Sequence, residues 1–320
     1  MVKPFASSAD LTEKTETLEV LAEGVYALTA EGDPNVGAIE GEDFLVCFEA
    51  RATPVMARRW LERLREHTDK PVRYLVLSHY HAVRVLGASA FDADAIVAHT
   101  ETRRLVAERG AQDWESEFRR MPRLFTGHES IPGLTWPTLT FTDRLHIELG
   151  GDRGALELRW LGRGHTAGDL VAWLPRDRVA FAGDLVETGS AVYTGDAYHH
   201  AWLRTLDEVA GLGATTLVGG RGEVARGRDA VDEAIGLTRR FLTTLIGCVA
   251  AVQRSGGTIR EAYQAADEAL SPVYGDMPIY THVLPFDVER AWEELAGEEH
   301  PEIWTAARDR EVWDALTATT

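Results

Sequence analysis

Short apolar runs split by turn residues recur in two separate stretches of this chain, each interleaved with segments of helical period, and that repetition confines it to layered architectures of sheet and helix. In the first stretch, residues 24–28, 35–41 and 44–48 have the spacing of antiparallel strands. Residues 54–67 carry Val55, Met56, Trp60, Leu61 and Leu64 at helical spacing and predict an amphipathic helix, with a strand over 72–77 behind it. A strand over 95–98 and a helix over 101–120 follow, and the segment to about 137 fits no element. The second stretch predicts strands over 139–149, 155–161, 170–174 and 179–182, a helix over 201–210, a strand over 215–218 and the turn Gly219-Gly220-Arg221-Gly222. From about residue 228 the period is helical, over 230–245, 259–270, 288–295 and 303–316. Two similar ββα-rich halves predict two sheets face to face with helices outside, followed by a helical C-terminal portion.

A chain of 320 residues has room for one large domain and a smaller appendage. Asp and Glu total 51 against 33 Lys and Arg, a formal charge of −18, so the surface repels nucleic acid and anionic membranes at long range. The expected partner is therefore a small-molecule substrate, with neither nucleic acid nor membrane involved and a homo-oligomer left open. Residues 1–20 hold no apolar run suited to a signal or anchor, and no later stretch reads as bilayer-spanning, which makes the cytoplasm the expected location. Cys47 and Cys248 lie far apart in apolar surroundings and read as buried thiols, neither a disulfide nor a thiolate metal site.

The informative site is His79-Tyr80-His81, directly behind the apolar run 72–77. Two histidines at i and i+2 can both turn toward one ion where a chain leaves a sheet, because regular alternation stops there. Alone, such a pair is weak evidence. Two further elements strengthen it: the glycine-rich turn Gly162-Arg163-Gly164-His165-Thr166-Ala167-Gly168-Asp169 between two predicted strands, and Phe181-Ala182-Gly183-Asp184, where a strand ends in Gly-Asp. All three put a ligand-type side chain at a strand's carboxyl end, as a site in a layered α/β fold requires.

The order His-x-His, Gly-His-Thr-x-Gly-Asp, Gly-Asp and then a Gly-x-Gly turn resembles the metallo-β-lactamase superfamily, including its glyoxalase II-like hydrolases, over roughly residues 20–237. The resemblance implies an α/β (α+β) fold, a four-layer αββα sandwich over 15–237 with a helical C-terminal portion over 238–320. It also implies that His79, His81 and His165 are ligands of a first metal and that Asp184 is the carboxylate shared between two metals.

The departures are as telling. The family reads His-x-His-x-Asp-His where this chain has Val83 and Arg84 at the last two positions, and its late Gly-His-Gly turn is Gly220-Arg221-Gly222 here. Valine has no donor atom and a guanidinium has no lone pair to offer a metal. A second dication about 4 Å from an arginine would be repelled by roughly 8 kcal/mol at an effective dielectric near 20. One metal is therefore expected, with Arg84 and Arg221 in the vacated space, either paired with Asp184 or clamping an anionic substrate group.

Zinc on three neutral imidazoles keeps a fourth position for water and lowers its pKa to about 7. The expected reaction is hydrolysis of an ester, thioester, lactone or amide, anionic or not, by a metal-bound hydroxide, with Asp184 as ligand or base and an arginine stabilising the oxyanion. Two rivals remain: a mononuclear iron oxidoreductase using two of the histidines and Asp184, and a degenerate binding protein without catalysis. Among the other histidines, His67, His128, His146 and His300 read as surface residues and His99 as structural. The aromatic-rich loop 193–202, with His199 and His200, follows the Asp184 strand and could wall the pocket, and His282 in the segment 278–286 could reach the site, with structural roles favoured for both. Asp169 is expected to brace the His165 turn, and Glu49, Trp114 and Trp136 carry no assignment.

Overall fold

The computed structural model describes residues 4–318. Strands β1 (Glu16–Ala22), β2 (Val25–Ala30), β3 (Val36–Glu40) and β4 (Leu45–Phe48) form an antiparallel meander, and α1 (Pro54–Leu64) crosses to β5 (Val72–Val76). Thr53 caps α1 by accepting the Met56 N–H, and Pro54 fills its first turn, where a missing N–H costs nothing. A short α2 (Ala82–Val85), β6 (Ala95–His99), the long α3 (Thr100–Arg120) and β7 (Leu139–Phe141) complete the first half. These strands make a seven-stranded sheet in the order β1 to β7, parallel from β4 onward.

The second sheet has the order β13-β12-β11-β10-β9-β8, from β8 (Arg144–Glu148), β9 (Ala155–Trp160), β10 (Leu170–Leu174), β11 (Val179–Gly183), β12 (Thr216–Gly219) and β13 (Ala225–Arg226), with α4 (His199–Gly211) between β11 and β12. The apolar run over 139–149, which reads as one strand, is two. It breaks at Thr142-Asp143, and β7 and β8 join opposite sheets, so this short link is where the chain passes from one half to the other.

Period-2 alternation sorts the side chains into layers. Val25, Ile39, Val46, Phe48, Val76 and Val97 of the first sheet meet Leu156, Leu158, Leu170, Val179, Phe181 and Val218 of the second. The outer face of the first sheet packs on Trp60 and Leu64 of α1, and that of the second on Trp202 and Leu206 of α4. The result is the expected four-layer αββα sandwich.

Four helices follow: α5 (Arg228–Arg254), α6 (Ile259–Tyr274), α7 (Tyr280–Ala296) and α8 (Ala306–Thr317). The sequence boundary at 237/238 falls inside α5, whose buried face runs without a break from Val231 through Phe241 and Leu245 to Val249 and joins the core behind the second sheet. At 27 residues, α5 is also long and apolar enough to cross a membrane by length and composition, which corrects the reading that no stretch is. The helix α7 starts eight residues before its sequence-based limit of 288, because Pro285 lies only six residues into it and removes a single ladder bond.

Phe181 ties the two halves together. Its buried ring packs on Phe48 with centroids 5.5 Å apart, and a side chain at Gly37 would overlap it. Phe181→Ala is expected to cost about 3–5 kcal/mol, as for other buried phenylalanines. Gly37→Ala is expected to destabilise by about 1–3 kcal/mol through overpacking. Urea denaturation of both variants beside the wild type measures this.

Candidate metal centre

Three chain segments leave their sheets at the same edge. The chain after β5 presents His79 and His81, the turn between β9 and β10 presents His165, and the end of β11 presents Asp184. The Leu170 N–H donates to the Ser78 carbonyl at 3.0 Å, locking the first two segments across the sheet gap. Asp169 braces the His165 turn, accepting from the Thr166 N–H at 2.8 Å and the Thr166 hydroxyl at 2.7 Å.

Among the described residues, one nitrogen from each of His79, His81 and His165 lies within 4.8 Å of the other two. His81 Nδ1 is 3.1 Å from His79 Nε2 and 3.0 Å from His165 Nε2, and no ring of the three is more than 2% exposed. The remaining nitrogens are all engaged. His165 Nδ1 donates to the Tyr193 carbonyl at 2.9 Å, His81 Nε2 faces Asp196 Oδ2 at 3.1 Å, and His79 Nδ1 faces Ser78 Oγ at 2.7 Å.

These partners dictate the protonation. A carbonyl only accepts, so His165 carries its proton on Nδ1 and turns the lone pair of Nε2 inward. Asp196 is held well below the usual carboxylate range, because the His81 hydrogen bond and charge and the Arg109 guanidinium outweigh burial. An ionised Asp196 likewise accepts a hydrogen bond from His81 Nε2, which turns His81 Nδ1 inward. Two inward nitrogens 3.0 Å apart repel unless a cation, a proton or a metal ion, lies between them. The separations match the edges of a tetrahedral zinc site, ~3.3 Å for Zn–N bonds of ~2.0 Å. The donor set therefore fits a divalent metal.

Asp184 flanks the triad, with Oδ2 3.8 Å from His79 Nε2 and 3.6 Å from His165 Nε2. Its other oxygen is in an ion pair with Arg84, whose guanidinium is fully buried and also donates to the carbonyls of Gly220 at 2.8 Å and Asn35 at 3.3 Å. Burial alone would raise the Asp184 pKa, but Arg84, the imidazoles of His79 and His165, and Arg221 hold it well below the carboxylate range. A side chain at Gly220 would overlap both Asp184 and Arg84, which explains a glycine at that position of the turn. Arg221 takes a different course: its Nη1 donates to the Gly32 carbonyl at 2.9 Å.

The remaining candidates are structural. His199 and His200 both bond Glu294, at 2.8 and 3.0 Å, and His282 bonds Ser7 at 3.0 Å. His99 caps α3 and stacks on Trp160, and His67, His128, His146 and His300 are exposed. Sequence alone assigns Asp196 no role of its own within the aromatic-rich 193–202 loop and leaves Glu49 without one. The buried Glu49 accepts the Ser78 N–H at 3.0 Å from a backbone with φ of 68°, a conformation rare outside glycine, and burial pushes its carboxyl up to about 7 against the pull of Arg84. Positive φ at a non-glycine residue beside a strand end was the one structural signal, and no sequence pattern announces it.

The family model of the metallo-beta-lactamase superfamily matches residues 31–221. The chain belongs to that superfamily. It is similar to a linear primary-alkylsulfatase of Pseudomonas sp., 23% identical over 234 residues, covering 63% of this chain and 44% of that protein. A type 2 metallo-beta-lactamase of Bacteroides fragilis is 38% identical over 80 residues, 24% of this chain and 31% of the enzyme. The chain thus spans less than half the length of either relative. Among solved structures, a double mutant of a sec-alkyl sulfatase superposes with a TM-score of 0.70 at 17% identity, over 88% of this chain and 50% of that one, so the shared fold extends beyond the sandwich into the C-terminal helices.

Without metal, His81 holds the proton of the triad. Burial opposes it, but the carboxylates of Asp113, Asp196 and Glu117 push its pKa up to about 9, while burial pushes His165 down to about 3. Metal must displace that proton, so affinity falls as pH drops below about 9, and loading at pH 7 is expected to release about one proton per ion. Calorimetry in buffers of different protonation enthalpy reads this number. Separately, Arg84→Met is expected to cost about 3–5 kcal/mol in thermal unfolding, since it strands a buried carboxylate.

Proposed function

We propose that this protein is a mononuclear, zinc-dependent hydrolase acting on an ester, thioester, lactone or amide. The observation that carries the reading is the pair Arg84–Asp184: a fixed, buried guanidinium bonds the carboxylate that would otherwise face a second metal. A guanidinium there excludes a neighbouring dication by charge and offers no donor to one.

His79 Nε2, His81 Nδ1 and His165 Nε2 would hold the single ion, which supplies a Lewis acid and lowers the pKa of water. Asp184, held well below the usual carboxylate range by Arg84 and the neighbouring imidazoles, is a weak proton acceptor. Its free oxygen, beside His79 and His165, orients a nucleophile by accepting a hydrogen bond rather than taking the proton away. Arg84 gives the site fixed positive charge, and with three guanidinium contacts already made it acts through the field it exerts on Asp184. The iron alternative draws on two histidines plus Asp184 as ligands, and the commitment of Asp184 to Arg84 favours the all-histidine set instead.

Metal analysis tests the proposal. The wild type is expected to carry close to one equivalent of zinc, and His79→Ala and His165→Ala to lose most of it along with hydrolysis of chromogenic esters. Two equivalents in the wild type would refute the arginine argument. The variant combining Val83→Asp, Arg84→His and Arg221→His restores the family's donors and is expected to take up a second ion.

A further inference from the structure

His81 is the ligand that both other imidazoles face, and what orients it lies outside the sheets. Its Nε2 meets Asp196 Oδ2, while Asp196 Oδ1 accepts from Arg109 Nη1 at 3.2 Å, and the same Nη1 donates to the Pro301 carbonyl at 3.1 Å. His81, Asp196 and Arg109 are all at most 5% exposed. Asp196 belongs to the segment between β11 and α4, where residues 191–198 have no helix or strand of their own.

That segment is held almost residue by residue from the C-terminal portion. The Thr194 N–H donates to Asp287 Oδ1 at 2.6 Å, Trp304 Nε1 donates to the Gly195 carbonyl at 2.9 Å, Arg290 Nε donates to the Ala197 carbonyl at 2.8 Å, and the His199 N–H donates to Glu294 at 2.9 Å. The same segment supplies the Tyr193 carbonyl that fixes His165. Two of the three ligands are thus aimed by a loop with no regular structure, clamped by residues 287–304.

We infer that Asp196 is the positioning residue of the metal centre, and that residues 287–304 set metal affinity by holding its loop in place. This rests on the reading of the triad as a metal site. A carboxylate on the far nitrogen of a ligating imidazole fixes its tautomer and rotation and raises its basicity, and removal of such partners typically lowers metal affinity ~10–100-fold. Among the described residues the loop has a single backbone bond of its own, from the Ala197 N–H to the Thr194 carbonyl at 3.0 Å, and the bonds that fix it on either side of Asp196 come from Asp287, Arg290 and Trp304.

The test is competition for zinc against a chromophoric chelator, with cobalt(II) spectra as a second readout of ligand geometry. Asp196→Ala is expected to raise the zinc Kd ~10–100-fold and to alter the cobalt spectrum. Asp196→Asn keeps an oxygen for His81 only by turning its amide toward Arg109, so it is expected to fall between. Trp304→Phe removes the bond to Gly195 while keeping an aromatic ring against Phe286 and Arg308, touches no ligand, and is expected to weaken zinc binding in the same direction by a smaller factor, which keeps the test open if Asp196→Ala fails to fold. Wild-type affinity and spectrum in Asp196→Ala, or a lower melting temperature in Trp304→Phe at unchanged zinc affinity, would overturn the inference. A wild type that takes up no zinc or cobalt defeats instead the reading of the triad beneath it.

Discussion

Two inward-facing imidazole nitrogens 3.0 Å apart are a repulsive arrangement unless a proton or a metal ion lies between them, and the rest of the centre exists to sustain it. Each ring is denied the rotation that would relieve the contact because its far nitrogen is bonded to a buried partner: Ser78 for His79, Asp196 for His81 and the Tyr193 carbonyl for His165. The partners come from two segments, the end of β5 and the 191–198 loop, so the repulsion is balanced by tertiary structure rather than by the ligand-bearing turns alone. A positive charge placed among the three nitrogens turns the same geometry into a favourable one. Sites of this kind therefore couple metal binding to the integrity of the fold.

The second feature is a substitution of kind. Where the family motif has histidine, this chain sets Arg84, a guanidinium whose contacts are shared between Asp184 and the carbonyls of Gly220 and Asn35. Asn35 also bonds the carbonyls of Gly219 and Gly222 through its amide, so the turn that would carry a ligand is pinned from the opposite sheet. The charge is permanent, cannot dissociate and needs no supply of metal.

Legibility in the sequence followed chemical distinctiveness. The histidines and Asp184 could be read because few residue types ligate metal and each stood just behind an apolar run, His165 and Asp184 with a glycine beside them. The place of Arg84 beside Asp184 was equally legible, since it stands where the family motif has histidine. Asp196 was not, because a carboxylate in a polar loop has many uses and only its meeting with His81, 115 positions away, gives it one. The break between β7 and β8 escaped for a different reason: apolar alternation continues through it, and which sheet a strand joins depends on pairing with distant chain. The early start of α7 was hidden by Pro285, which argues against helix locally and is tolerated once packing supplies the remainder.

The clamp on the 191–198 loop also imposes an order of assembly. His79 and His81 emerge from the ribosome early and His165 midway, yet the bonds that aim two of them come from Asp287, Arg290, Glu294, Pro301 and Trp304, more than a hundred residues behind the last imidazole. A nascent chain holding the whole sandwich would still have a loosely pointed triad, since domains form from the N-terminal side as synthesis proceeds. The candidate metal centre thus draws its final geometry from the stretch of chain made after the sandwich that carries it.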